Sequence, residues 1–215
     1  MKKIVSFVFS LVIATFSASA GCQHANSTIS SGDEPVINGH EYVDLGLPSG
    51  LKWATCNVGA SKPEDYGNHY AWGETSTKSS YTKGNSVTYG ENFSDIGGNP
   101  TYDVAREKWG STWRLPTKAE FEELRQNCSW TWTTQNGING YKVISKKNGN
   151  SIFLPAASFC DGTSLYGQGA CGEYWSSTPH ERSSDGAYGL HFNSRYHRIP
   201  WYLRDFGLSV RPVSE

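Results

Sequence analysis

The sequence predicts an α+β domain, with one or two helices and several short antiparallel strands. Three observations carry this reading. Pro116-Thr117 followed by Glu120 forms a capping box at the head of a helical apolar stripe. From Trp130 onward, short segments alternate apolar and polar residues between Gly, Asn and Pro. The composition (13% aromatic, 23 Gly, one Met) suits a loop-rich β framework with a Trp and Tyr core.

A chain of 215 residues with 37% hydrophobic content holds one ordinary domain and an N-terminal extension. Residues 1–21 read as a lipoprotein signal peptide. Lys2-Lys3 precede an apolar run from Ile4 to Phe16, and small residues lead to Cys22. The run is too short for a comfortable membrane span. Cleavage before Cys22, at the lipobox-like Ser19-Ala20-Gly21-Cys22, would lipidate that cysteine and anchor the protein at a bacterial outer membrane or cell surface. Cleavage after Ala20 would instead release a secreted protein. Residues 22–35, rich in Ser, Asn and Gly, read as a flexible tether, and residues 36–215 as the domain.

Taken in order, His40 to Leu47 and Leu51 to Cys56 form a hairpin about Pro48-Ser49-Gly50. Asp65 to Glu74 is irregular and aromatic, and Thr75 to Pro100 reads as a surface loop. Tyr102 to Trp109 is a short helix stopped by Gly110. Thr117 to Asn127 is the clearest helix; it buries Phe121, Leu124 and Cys128 and exposes Lys118, Glu122 and Arg125. Strands follow at Trp130 to Thr133, Gly140 to Ser145 and Ser151 to Leu154. Alternation at Tyr188, Leu190 and Phe192 turns these inward and His191 outward. Leu208, Val210 and Pro212 close the chain in the same manner.

Most chemical motifs fail on context. Gly167 to Gly172 spells GxGxxG, but a strand follows it, so no helix N-terminus is available for a pyrophosphate. The His residues lack zinc-site spacing, and Glu122-Glu123 point in different directions on their helix. No nucleophile elbow or phosphate loop appears. The expectation is a non-enzyme without cofactor or metal. A net charge of −1 argues against nucleic-acid binding. Setting Cys22 aside leaves four cysteines, an even number that predicts disulfides Cys160–Cys171 and Cys56–Cys128 in an oxidising compartment. Four reduced, buried thiols are the alternative.

The recognition chemistry is concentrated at the C-terminal end. Tyr174 to Val213 holds eight aromatics, five Arg, three His and no Lys. Tyr, Trp and Arg dominate binding hot spots because they join large area to a directional polar end. Removing the inferred scaffold positions leaves His180, Arg182, His191, Arg195, Tyr196, His197, Arg198, Trp201, Tyr202, Arg204, Asp205 and Phe206 as candidate ligand-binding residues.

Several segments resemble the Fibrobacter succinogenes major paralogous domain family of extracytoplasmic bacterial proteins. They are Gly39 to Gly59, Tyr70-Ala71-Trp72-Gly73-Glu74, Trp113-Arg114-Leu115-Pro116-Thr117, Gly140 to Val143, Leu154 to Ala157, Tyr174 to Thr178 and Ser209 to Val213. The resemblance implies a C-type-lectin-like fold of the formylglycine-generating-enzyme form, with paired N- and C-terminal strands. The calcium and sugar motifs of calcium-dependent lectins are missing, and the cysteines do not match those of formylglycine-generating enzymes. The C-terminal segment is also similar to the variable proteins of diversity-generating retroelements, whose lectin-like ends are diversified on a fixed frame; an ordinary paralogue with a fixed end is the other reading. Together these imply a lipid-anchored protein binding a glycan or protein ligand. An enzyme of formylglycine-generating type and a structural subunit of a surface assembly remain as alternatives.

Overall fold

The computed structural model describes residues 35–215. The expected signal segment, the expected lipidation at Cys22 and the tether expected up to residue 35 fall on residues that, but for Pro35, lie outside the described ones.

The first sheet joins both ends of the domain. Strands β1 (Val36–Ile37), β2 (His40–Asp44) and β3 (Lys52–Ala54) run antiparallel, and the last strand, β14 (Val213–Ser214), pairs with β3 through Val213 and Trp53. Asn38 and Gly39 make the β1–β2 turn with φ of 48° and 80°, the doubly left-handed geometry that matches strand twist in a tight hairpin. The Asn-Gly signal was present in the sequence and lengthens the expected hairpin by one strand.

Between β3 and the helices the chain is irregular, as anticipated, with one 3-10 turn at Lys83–Asn85. The stretch from Thr75 to Pro100 is not wholly a surface loop, because Tyr81, Thr88 and Ile96 are buried. Helix α1 (Val104–Trp109) starts at Asp103, whose carboxylate accepts from Ala105 and Arg106 N–H, and stops at Gly110 with φ of 65°. Asp103 also accepts from Gly98 N–H at 2.7 Å and Leu115 N–H at 2.9 Å, so it ties the loop before α1 to the segment after it.

Helix α2 (Lys118–Asn127) carries the expected capping box, with Thr117 accepting from Glu120 N–H and Glu120 from Thr117 N–H. Arg114 grips the same Glu120 through two bonds of 2.8 and 2.9 Å, a bidentate pair that fixes the helix start to the strand-like segment before it. Phe121, Leu124 and Cys128 are buried as expected, and Arg125 pairs with Glu122 on the outer side.

Strands β4 (Cys128–Gln135), β5 (Ile138–Ser145) and β6 (Ser151–Pro155) form a meander in that order. A second Asn-Gly turn, Asn136 and Gly137 with φ of 47° and 84°, closes β4–β5. Strands β7 (Phe159–Asp161) and β8 (Ser164–Tyr166) make a small hairpin that pairs with β13 (Gly207–Leu208). The glycine-rich loop ends in β9 (Cys171–Pro179), so the GxGxxG stretch leads into a strand. β9 pairs with β10 (Gly186–Asn193), whose other edge takes β11 (His197–Arg198) and β12 (Trp201–Leu203).

Two cores result. One packs Trp53, Phe121, Leu124, Leu154, Tyr174, Leu190 and Phe192; the other packs Trp72, Trp113, Trp175, Leu208 and Val210. Trp53, Trp72, Trp113 and Trp175 are all fully buried, as their positions in the sequence suggested. Each such ring removes roughly 200 Å² from water, about 5 kcal/mol of transfer free energy before entropy is counted. Arg211, near the C-terminal end, is fully buried. Its guanidinium donates to Asn57 Oδ1 at 2.9 Å and to the carbonyls of Ala54 and Thr55. The architecture is α+β. Among the described residues no helix is long and apolar enough to cross a membrane.

The two expected disulfides are not formed: Cys56, Cys128, Cys160 and Cys171 are all free thiols in the structure. Cys128 is buried in the first core on β4, while Cys56 is half-buried in the loop after β3. The Cys171 thiol turns back on its own loop, donating to Gly167 O at 3.5 Å. Even parity predicts pairing only where the fold brings sulfurs together.

Candidate ligand-binding surface

The sheet β9–β10–β11–β12 presents most of the residues singled out in the sequence. Register slips between Ala187 and Gly189 against β9. On the Asn193 side of the slip, Leu190 and Phe192 point into the first core, as the alternation predicts. Tyr188 keeps their alternation but is less covered. It lies half-buried opposite Trp201 across β10–β12, in a surface cluster. The extra residues of the slip lie in β9, where Trp175 to Pro179 spans the stretch that Gly189 to Ala187 spans in β10. The alternation of β10 is therefore unbroken, and Tyr188 differs from Leu190 and Phe192 only in being less covered.

This first cluster is aromatic and charged. The His180 ring lies 5.2 Å from Trp201 and 5.4 Å from Tyr188. Lys118, at the start of α2, holds its ammonium 3.5 Å from the Tyr188 ring centre. The Tyr188 hydroxyl donates to Glu181 at 2.5 Å, which keeps that carboxyl below its ordinary pKa. Trp201 remains 48% exposed, which leaves much of its surface free for a ligand. Arg182 is exposed beside it, its N–H donating to His180 Nδ1. Gly186 makes the cluster sterically feasible, because a Cβ there would fall 2.9 Å from the Trp201 ring.

A second cluster sits at the β10–β11 turn. Tyr196 is 46% exposed, with its ring 5.5 Å from His191 and 5.6 Å from the Arg198 guanidinium. Arg195 is exposed at the tip, held by Asn193 Oδ1, which accepts from both Arg195 and Tyr196 N–H. Asn193 lies five residue steps along β10 from Tyr188, about 17 Å of extended chain.

Below the second cluster a polar row that the sequence reading missed runs from a buried to an exposed end. Glu173, His191 and Arg198 stand directly opposite one another on β9, β10 and β11. His191 Nδ1 is 3.0 Å from Glu173 Oε1, and Glu173 is only 2% exposed. The Tyr202 ring covers Gly189, where a Cβ would lie 3.3 Å from it, and meets Trp175 edge-on at 5.9 Å. Burial, reinforced by the Glu173 charge, raises the Tyr202 hydroxyl well above its ordinary pKa. Glu173 Oε2, His191 Nε2 and Tyr202 OH are buried without a hydrogen-bond partner among the described groups. Cys171 borders the row, its thiol pushed up to about 12 by burial and by Glu173. Glu173 sat in a stretch read as plain strand; its proximity to His191 comes from pairing across 18 residues, and no local signal reveals it.

The remaining candidates are structural. Arg204 is 1% exposed and Asp205 4%, so neither belongs to a contact surface. Arg204 donates to the carbonyls of Gly186, Thr88 and Glu91. Phe206 stacks on Phe159 at 5.5 Å. His197 stacks on Trp130 at 4.4 Å and accepts from Arg125 Nε, so it braces α2 against β11. Their charge and aromaticity resemble hot-spot chemistry, but here these side chains hold the sheet to its surroundings. No group of three or more His, Cys, Asp or Glu side chains that could hold a metal ion occurs among the described residues.

No family model matches the chain, nor does any curated protein or any solved structure.

Proposed function

We propose that this is a lipid-anchored extracytoplasmic binding protein of C-type-lectin-like fold, which recognises a glycan or protein ligand through the surface of β10, β11 and β12. The observation that carries the reading is the exposure of Trp201 and Tyr196, 48% and 46%, on one short segment flanked by cations. Trp201 is not an isolated exposed ring but part of a patch with His180 and Tyr188, and contiguous patches of this kind mark interaction sites. Trp201 with His180 and Tyr188 offers a stacking platform for a sugar ring or an apolar side chain. Arg182, Arg195 and Arg198 supply exposed guanidinium groups for carboxylate, sulfate or phosphate. The proposed contact set is therefore His180, Arg182, Tyr188, Arg195, Tyr196, Arg198 and Trp201, with His191 beneath.

The pairing of β14 with β3 supports the lectin-like assignment, since it closes the domain ends in one sheet. The lipid anchor rests on the sequence around Cys22. A formylglycine-generating activity has less support. Its chemistry needs a reactive thiol, whereas burial pushes Cys171 up to about 12 and Cys128 up to about 11, which keeps both protonated at neutral pH. The test is binding of the purified protein to glycan and cell-surface arrays, repeated with Trp201→Ala, Tyr196→Ala and Arg198→Ala. Binding that survives all three substitutions would sink the site assignment.

A further inference from the structure

A second surface, independent of the one just described, lies between the outer edge of β6 and the end of β2 that runs on past its pairing with β1. On β5–β6, Ser145 N–H donates to Asn150 O and Ala156 N–H to Asn139 O, both at 2.8 Å. Antiparallel ladders alternate. Ile152 and Leu154 therefore bond to β5, and Ser151 and Phe153 aim their N–H and C=O away from the sheet. On β2, Thr55 N–H donates to Glu41 O at 3.1 Å, and Tyr42 N–H donates to Pro35 O at 3.0 Å. By the same alternation Tyr42 C=O and Asp44 N–H also face outward. Pro35 has no N–H with which to answer the Tyr42 carbonyl.

These edges face a common trough. Two cavities, of about 630 Å³ and 240 Å³, both touch Val43 of β2 and Ser151 of β6. Asn150 and Asn148 close one end, donating to Asp44 O at 2.8 and 3.0 Å. Lys142 lines the smaller cavity, is exposed, and has no ion-pair partner among the described residues; Lys52, which lines the larger one, is paired with Asp44. Outward peptide groups recognise another extended backbone, and a lone ammonium in the wall selects for a carboxylate.

We propose that this trough takes an extended segment of a partner protein, added as a strand along β6 with an Asp or Glu side chain at Lys142. The chemistry differs from that of the aromatic surface, because affinity comes from main-chain hydrogen bonds and specificity from one charge and the alternate side chains. Such a site would let the protein hold an assembly partner while the β10–β12 surface stays free.

The test is selection of random twelve-residue peptides displayed on phage against the full-length protein, with affinities of enriched peptides measured by fluorescence polarisation. Enriched peptides are expected to alternate apolar and polar residues and to carry an acid. Ser151→Pro removes one outward N–H while leaving the β5 ladder intact, and should weaken binding about fivefold, the worth of one neutral hydrogen bond. Lys142→Glu should weaken it further, and Trp201→Ala should leave it unchanged. If Ser151→Pro lowers the melting temperature, the exposed Lys142→Glu carries the test alone. No enrichment over an unrelated protein overturns the proposal. So does binding that ignores both substitutions or is lost only with Trp201→Ala. Dimerisation that Ser151→Pro abolishes, with no peptide binding, would assign the edge to a second copy of the chain and overturn the partner assignment.

Discussion

The Arg204 guanidinium lies 4.3 Å from the centre of the buried Trp72 ring and donates to the carbonyls of Gly186, Thr88 and Glu91. One side chain thereby fastens the long loop before α1 to the start of β10. Its charge is spent on carbonyls and an aromatic face, and none of it reaches the surface. Arg204→Ala should cost roughly 3 kcal/mol, because three carbonyls and a ring face lose their partner together. Arg204→Lys should recover only part of this, since an ammonium cannot reproduce the planar fork. Urea denaturation measures both; a loss below about 1 kcal/mol for the alanine variant would contradict the assigned role.

Trp201 should behave in the opposite way. It is half exposed at the sheet surface, and its truncation should change stability by no more than about 1 kcal/mol. Ligand binding should fall at least tenfold, as expected for an aromatic anchor. The contrast between Trp201 and Arg204 in paired stability and binding measurements separates contact residues from scaffold within the same short segment.

That contrast also marks what the sequence can disclose. Helix α2 was legible because Thr117, Glu120, Phe121 and Leu124 act on each other within one or two turns. The hairpin about Pro48 to Gly50 was legible for the same reason. The Asn-Gly turns at 38–39 and 136–137 also lie in local sequence, although the sequence reading did not use them. Arg204 was not legible, because its partners Thr88 and Glu91 lie more than a hundred residues away. Period-two alternation gives the side of β10 on which Tyr188 stands but not how far its neighbours cover it, and Glu173 gained its importance from a neighbour on another strand. The candidate surface was thus readable as a stretch of sequence, but its division into exposed and supporting side chains depends on long-range packing.

Gly140 on β5 should tolerate no side chain. A Cβ there would lie 2.3 Å from Leu154 O and 2.9 Å from Pro155 Cα, and both obstacles are backbone. Gly140→Ala must push β5 and β6 apart, at a cost of about 3 kcal/mol or more. Gly137→Ala has open space but left-handed backbone, with φ of 84°, and should cost only about 1 kcal/mol. Thermal unfolding of the two variants checks the order; equal losses would argue against the close approach of β5 and β6.

The cysteines give a chemical check on the packing. All four described thiols are free, and Cys128 is buried with its thiol pushed up to about 11. In the folded protein Cys128 should resist alkylation at neutral pH, since burial limits access and suppresses the thiolate. After denaturation without reductant, peptide mapping should find Cys56, Cys128, Cys160 and Cys171 all modified. Recovery of a Cys160–Cys171 crosslinked peptide would show that the β7 and β9 ends sit closer than the structure places them.

The last prediction concerns acid. His197 Nδ1 accepts from Arg125 Nε at 3.1 Å while its ring stacks on Trp130, so the neutral imidazole is the one the fold holds. Burial lowers its pKa first and the Arg125 charge lowers it further; Glu122 opposes them. Burial lowers His40 and His69 in the same direction. As pH falls below the ordinary histidine value of about 6.5, the unfolded chain takes up protons that the folded chain refuses. The stability contributed by these neutral rings is therefore complete above about pH 6.5 and is lost as pH falls through their folded values. Between about pH 7.5 and 5.5, above most carboxylate titrations, the urea midpoint should decline steadily. His197→Gln keeps an acceptor for Arg125 but cannot titrate, so its midpoint should decline less steeply over the same window. Parallel slopes for the two proteins would mean that protonating His197 does not disturb the Arg125 bond, and that the brace between α2 and β11 lies elsewhere.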